Sequence, residues 1–248
     1  MNKLSVPAIA FVFMMTAPAQ PGDIKVLGTQ SMVLVWGEVA ASFQEQTGHK
    51  VVMTPHIAAA AKRLIDAGEQ FDVVILSPAV VDELIREKKA DGTTRVDIMR
   101  APIGVAVRNG EPKPDISSVA AFRSALLTAK SIAYLKTGTS GVYLAGLMTK
   151  LGIADQVRGK TKLPEADIVG PMVASGEAEI GITAISTLLA TPGVSVVGPI
   201  PAEIQNPVPF TGAVSTTTAS PAAAQALLKF LTSPAVASAI RKKGLEPG

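Results

Sequence analysis

Ser131-Ile132-Ala133-Tyr134-Leu135-Lys136-Thr137-Gly138-Thr139-Ser140-Gly141-Val142-Tyr143 runs from an apolar strand, through a turn dense in glycine and hydroxyls, into a helix with Tyr143, Leu144, Leu147, Met148 and Leu151 on one face. Glycine lets the backbone come close to a bound group, and the first N–H groups of a helix have no partner within it. Such a start favours an anion, and the Thr139 and Ser140 hydroxyls add donors. The same residues also suit an ordinary N-cap. One turn alone decides nothing, so the question is whether it recurs.

It does recur. Upstream, Asp23–Leu27 reads as a strand that closes at Gly28-Thr29-Gln30-Ser31, and the next helix carries Met32, Val35, Trp36, Val39 and Phe43 and stops at Gly48. A second strand, Lys50–Met53, ends at Thr54-Pro55-His56, and an Ala-rich helix follows as far as Gly68. Phe71–Leu76 is a third strand, after which Ser77-Pro78 opens a helix with proline in its first turn. Three strand–helix units in a row predict a parallel sheet buried on both faces.

The pattern then changes. Ile98–Val107 reads as one long apolar strand, followed by a Pro-rich loop to Asp115 and a helix from Ser117. Beyond the opening stretch come short strands at Asp167–Val169, Gly176–Thr183 and Val194–Val197. A second long strand spans Phe210–Thr217, and helices at Pro221–Leu231 and Pro234–Lys243 close the chain. Ala67–Ile75 is echoed by Ser175–Ile182: a helix ends at Gly-Glu, then an apolar strand delivers a hydroxyl, Ser77 or Thr183.

Composition limits the function classes. The 248 residues are 48% hydrophobic and only 4% aromatic, and the net charge is +3 with no basic run longer than Arg241-Lys242-Lys243. A nucleic-acid partner is therefore not expected. Lys3, the apolar Leu4–Met15 and Ala17-Pro18-Ala19 have the layout of a secretory signal cleaved after Ala19, too short to span a membrane as a helix. With no cysteine there is no disulfide, thiolate metal site or thiol nucleophile.

Predicted strand ends deliver Thr29, Gln30 and Ser31; Thr54 and His56; Ser77; Thr137, Thr139, Ser140 and Gly141; and Thr183 and Ser186. In open α/β sheets the ligand crevice lies outside the carboxyl ends of the strands. Neutral hydroxyls and helix starts gathered there can hold an anion without burying a counter-charge. We take Thr29, Gln30, Ser31, His56, Ser77, Thr137, Thr139, Ser140, Gly141 and Thr183 as the candidate ligand-binding set. His49 follows the helix-ending Gly48 and reads as a solvated residue, while His56 either contacts ligand or caps the next helix. Gly138-Thr139-Ser140-Gly141-Val142 lacks the spacing of a G-x-S-x-G nucleophile turn, and no nucleotide-binding glycine motif or metal-ligand cluster is present. No enzyme, cofactor or metal is expected from these residues.

Several segments resemble the molybdate-binding-like periplasmic solute-binding proteins of ABC importers: Ala40–Val51, Gly68–Val73, Val173–Ile182 and Lys229–Val236. The resemblance spans nearly the whole mature chain. It implies an α/β, two-lobed, type II periplasmic-binding fold, each lobe a mostly parallel sheet flanked by helices, joined by two crossing strands near Arg100 and Thr211. Lobe I would comprise 20–101 and 208–248, and lobe II 102–207. The resemblance also implies a periplasmic, monomeric protein that closes on a small anion and serves an importer permease. Of the serines and the tyrosine by which such proteins hold molybdate, Ser31 matches the first. Thr54-Pro55-His56-Ile57-Ala58 lacks the second serine, and Ile182-Thr183-Ala184-Ile185 lacks the tyrosine. The additional hydroxyls and His56 suit a larger anion, a small organic carboxylate. The alternatives are a molybdate- or tungstate-type oxyanion, or an effector-sensing module.

Overall fold

The computed structural model describes residues 22–165 and 168–248; the expected signal segment and Asp167 lie outside them. β1 (Ile24–Thr29) passes through a 3-10 turn (Gln30–Met32) into α1 (Val33–Thr47), then β2 (Val51–His56), α2 (Ala58–Asp66), β3 (Val73–Leu76), α3 (Pro78–Arg86) and β4 (Ala90–Ala101). Next come β5 (Ile103–Arg108), α4 (Val119–Thr128), β6 (Ile132–Ala133), α5 (Gly138–Lys150), α6 (Ala154–Arg158) and β7 (Thr161–Lys162). α7 (Val169–Ala174), β8 (Ile180–Ala184), α8 (Ile185–Leu189) and β9 (Val194–Pro199) follow. The chain returns through β10 (Val208–Ser215) to α9 (Pro221–Leu231), α10 (Pro234–Lys242) and β11 (Glu246–Pro247).

Two sheets result, each flanked by helices. The first has the order β11-β4-β10-β3-β1-β2, with β1 parallel to β2 and β3, and β10 antiparallel to β3 and β4. The second has the order β7-β6-β8-β5-β9, with β6 parallel to β7 and β8, and β5 antiparallel to β8 and β9. Every residue of β3 is buried. Successive side chains of a strand leave opposite faces: Val73 and Ile75 pack with Val26, Val35 and Phe43, while Val74 and Leu76 pack with Ile65, Val81 and Leu84. Helices cover both faces, which is why the run is apolar without alternation. Each such side chain contributes about 1.5–3 kcal/mol by leaving water.

The long strand expected over Ile98–Val107 is in fact two strands in different sheets, broken at Pro102. Proline has no N–H to continue a ladder, and its carbonyl accepts from Ile185 N at 2.8 Å. Gln205 clamps this crossing: its Oε1 accepts from Ile103 N at 2.8 Å, and its Nε2 donates to Ile103 O at 2.9 Å. Of the short strand expected at Asp167–Val169, the described residues Ile168 and Val169 instead cap and open α7. The polar first half of β4, Asp91–Arg95, has no apolar strand pattern; pairing with β10 (Val214 opposite Asp91) makes it strand.

Candidate functional site

The carboxyl ends of three parallel strands meet at one edge of the first sheet. Thr29 is level with His56 across β1 and β2, and β3 ends alongside at Leu76. The 3-10 turn, α2 and α3 start from that edge, and α5 starts opposite them in the second lobe. Between the lobes lies a cavity of about 100 Å³. Its walls are Thr29, Ser31, Ile57, Ala58, Leu76 and Ser77 on one side and Leu135, Gly138, Thr139, Ser140, Thr183, Ala184 and Thr187 on the other, with Val208 and Phe210 from the returning chain.

Local conformation sets each donor. The Thr29 hydroxyl accepts from Ser31 N at 3.4 Å, tightening the turn that buries Ser31 to 2% exposure. Ser77 and Thr137 are the N-cap residues of α3 and α5, yet neither side chain caps its own helix. The helix starts keep N–H groups available, and partial positive charge gathers there. Gly138 opens α5 at φ 81°, a conformation that costs any residue with a Cβ. A Cβ on Gly141 would collide with the Leu135 carbonyl, so only glycine lets α5 pack onto the strand end. That close approach places Ser140, 6% exposed, beside Leu135 in the wall. Thr183, 2% exposed, enters from the end of β8. Nearby on α8, the Ser186 hydroxyl is buried with no hydrogen-bond partner.

Among the described residues, no charged side chain lines the cavity. Lys136, next to Leu135, pairs with Glu165 at 2.8 Å. That contact holds the lysine above its ordinary pKa and the carboxyl below its own, and both stay charged outside the walls. An anion in the cavity would be met by hydroxyls and helix starts alone, alongside apolar surface from Ile57, Leu76, Leu135, Val208 and Phe210. Among the described residues, no cluster of His, Asp and Glu could hold a metal ion.

Of the residues singled out in the sequence, the structure gathers Thr29, Ser31, Ser77, Thr139, Ser140 and Thr183 in this wall. Gln30, Thr137, His56 and Gly141 are not part of it. Thr137 is exposed, Gly141 is buried, and His56, partly buried, comes one residue before the wall residue Ile57. The two echoed segments lie in different sheets, and each ends at the cavity, through Ser77 and Thr183. Ala58 and Thr187 could have been found from their first-turn positions. Val208 and Phe210 carried no such signal, because they come from a distant strand.

Residues 24–246 match the bacterial extracellular solute-binding protein family. An aconitate isomerase from Pseudomonas sp. is 34% identical, over 92% of this chain and 90% of its own length. A molybdate-binding protein ModA from Escherichia coli K12 is 26% identical, over 86% of this chain and 85% of its own. The solved periplasmic molybdate-binding protein of Azotobacter vinelandii superposes with a TM-score of 0.75 at 20% identity, covering 91% of this chain and 99% of that one. The first relative overturns the expectation that no enzyme is present, since it is an enzyme by name. The missing nucleophile turn and metal ligands exclude only the chemistries that need them, and an isomerase needs neither. With the match covering almost the entire described chain, the protein belongs to the bacterial extracellular solute-binding protein family.

Proposed function

We propose that the cavity takes a small unsaturated polycarboxylate of the aconitate kind and isomerises it, with the protein working as a periplasmic monomer whose lobes (20–101 with 208–248, and 102–207) close on the ligand about the crossings near Pro102 and Pro207. The observation that carries this is the double character of the wall. Hydroxyls and the starts of α2, α3 and α5 offer separate places for carboxylate oxygens, and the apolar residues between them suit a carbon skeleton. A compact inorganic oxyanion has no use for the apolar part. The 34% identity to the aconitate isomerase supports the same ligand class. Ser31 and the molybdate-binding relatives support a second reading, capture of an oxyanion for an ABC importer permease.

A thermal-shift series with cis-aconitate, trans-aconitate, citrate, molybdate and tungstate separates the two, with proton NMR following any interconversion. A ligand that binds only the native state stabilises it by RT ln(1 + [L]/Kd). Stabilisation by the aconitates with conversion of one isomer into the other is the expected result. A shift with molybdate or tungstate and none with the carboxylates would favour the second reading.

A further inference from the structure

We propose that His56 is the base that carries the proton during isomerisation, an inference resting on the substrate reading above. Moving the double bond of an aconitate-type acid requires proton traffic at carbon. The base takes a proton from the CH₂ carbon beside the double bond, so that C–H bond breaks and its electron pair spreads over three carbons and the flanking carboxylates. The base exchanges that proton with solvent, and a proton from the exchanged base then adds to the far carbon. The double bond has moved to the carbon that was CH₂, with a geometry set by the bound conformation. Atoms and electrons balance with no oxidant or metal, and the base ends as it began. Donors aimed at the carboxylates stabilise the developing charge, but something must accept the proton.

Among the described residues, the wall itself offers no acceptor. Its side chains are hydroxyls, methyls, alkyl groups and one phenyl ring. Beyond it lie basic and phenolic groups. Lys136 is tied to Glu165 and stays an ammonium. Burial pushes the phenols of Tyr134 and Tyr143 up, and the Tyr143 hydroxyl already donates to Ile204 O at 2.7 Å. His49 lies before the start of β2, about 20 Å from its other end at the ~3.3 Å rise of a strand residue. His56 is the other histidine.

Its placement fits the task. It ends β2 as the register partner of Thr29, a wall residue, and side chains of paired residues leave a sheet on the same face. The two residues after it, Ile57 and Ala58, are both in the wall. The N-cap of α2 is Ile57, so His56 is not spent on capping. Its side chain is partly buried rather than fully open to solvent. Imidazole is the side chain best able to give and take protons near neutrality.

The test compares wild type with His56→Gln and His56→Ala, each incubated with cis- or trans-aconitate in D₂O and followed by proton NMR, with affinity from thermal shift. The wild type is expected to interconvert the isomers with deuterium entering the CH₂ position. His56→Gln should lose at least about 100-fold in kcat, the lower end of what general acid–base catalysis supplies, while its Kd stays within about threefold. Free imidazole should restore part of the rate to His56→Ala, which a merely structural role would not allow. A His56→Gln rate within about threefold of wild type, or isomerisation without deuterium uptake, overturns the assignment and leaves the substrate reading standing. A wild type that neither binds nor converts either isomer overturns the substrate reading, and this inference with it.

Discussion

Ser31 and Ser140 belong to different lobes, face one cavity and are almost fully buried, at 2% and 6% exposure. Each hydroxyl that donates to an anionic oxygen is worth about 1.5–3 kcal/mol, since hydrogen bonds to charged groups exceed neutral ones. Ser31→Ala and Ser140→Ala should therefore each raise the Kd for the carboxylate about 10- to 150-fold. Neither hydroxyl caps a helix: the turn at Ser31 is closed by its backbone N–H and the Thr29 oxygen, and the N-cap of α5 is Thr137. The ligand-free melting temperature should thus stay close to that of wild type. Thermal shift with ligand at 100 times the wild-type Kd reads the difference: wild type gains about 2.7 kcal/mol, and a variant weakened 100-fold about 0.4 kcal/mol. If both variants keep their Kd within about twofold, the hydroxyls do not grip the ligand and the cavity is not the binding site. If only one is affected, the ligand touches a single lobe and closure on both sides fails as the mechanism.

Gly141→Ala pushes a methyl group into the Leu135 carbonyl and must shift the start of α5. It should cost about 1–3 kcal/mol, the usual penalty of overpacking, and weaken ligand binding as well, both visible in melting curves with and without ligand. Gln205→Ala strips both side-chain hydrogen bonds from Ile103, a fully buried residue at the lobe crossing. The Ile103 carbonyl keeps its bond from Ile200 N at 3.0 Å, but leaving the Ile103 N–H unmet costs about 1–3 kcal/mol, and that amide should exchange with deuterium faster. Lys62 and then Lys89 hold the Asp66 carboxyl below its usual range, and Lys89 and then Lys62 do the same for Glu87. The folded pKa values being depressed, the contribution is complete above the ordinary carboxylate range and fades as pH falls through the depressed values. The melting-temperature gap between wild type and an Asp66→Asn, Glu87→Gln double variant should therefore close in acid, and shrink with added salt because these groups lie at the surface.

Much of this architecture can be read from local pattern. The unbroken apolar run Val73–Leu76 needs helices on both faces, prolines at 78, 221 and 234 open helices, and Gly48, at φ 75°, closes one. These are short-range facts of backbone freedom and side-chain period, carried by residues within a turn of each other. The break at Pro102 was also present as a residue type, but its consequence, a change of sheet, was not. The strand at Asp91–Arg95 carries no apolar period; pairing with β10, more than a hundred residues on, makes it one.

The chain by itself determined which hydroxyls stand at strand ends and helix starts, because those positions follow from nearby glycines, prolines and apolar spacing. Tertiary structure alone decided which of them share a cavity: Ser31 and Ser140 converge and Thr137 turns to solvent, while Val208 and Phe210 arrive from a strand with no local tie to the site. The same holds for His56, which the sequence leaves between ligand contact and helix capping and which register pairs with the wall residue Thr29. Convergence depends on how two sheets pack across a pair of crossings, and no periodicity within one segment encodes that distance.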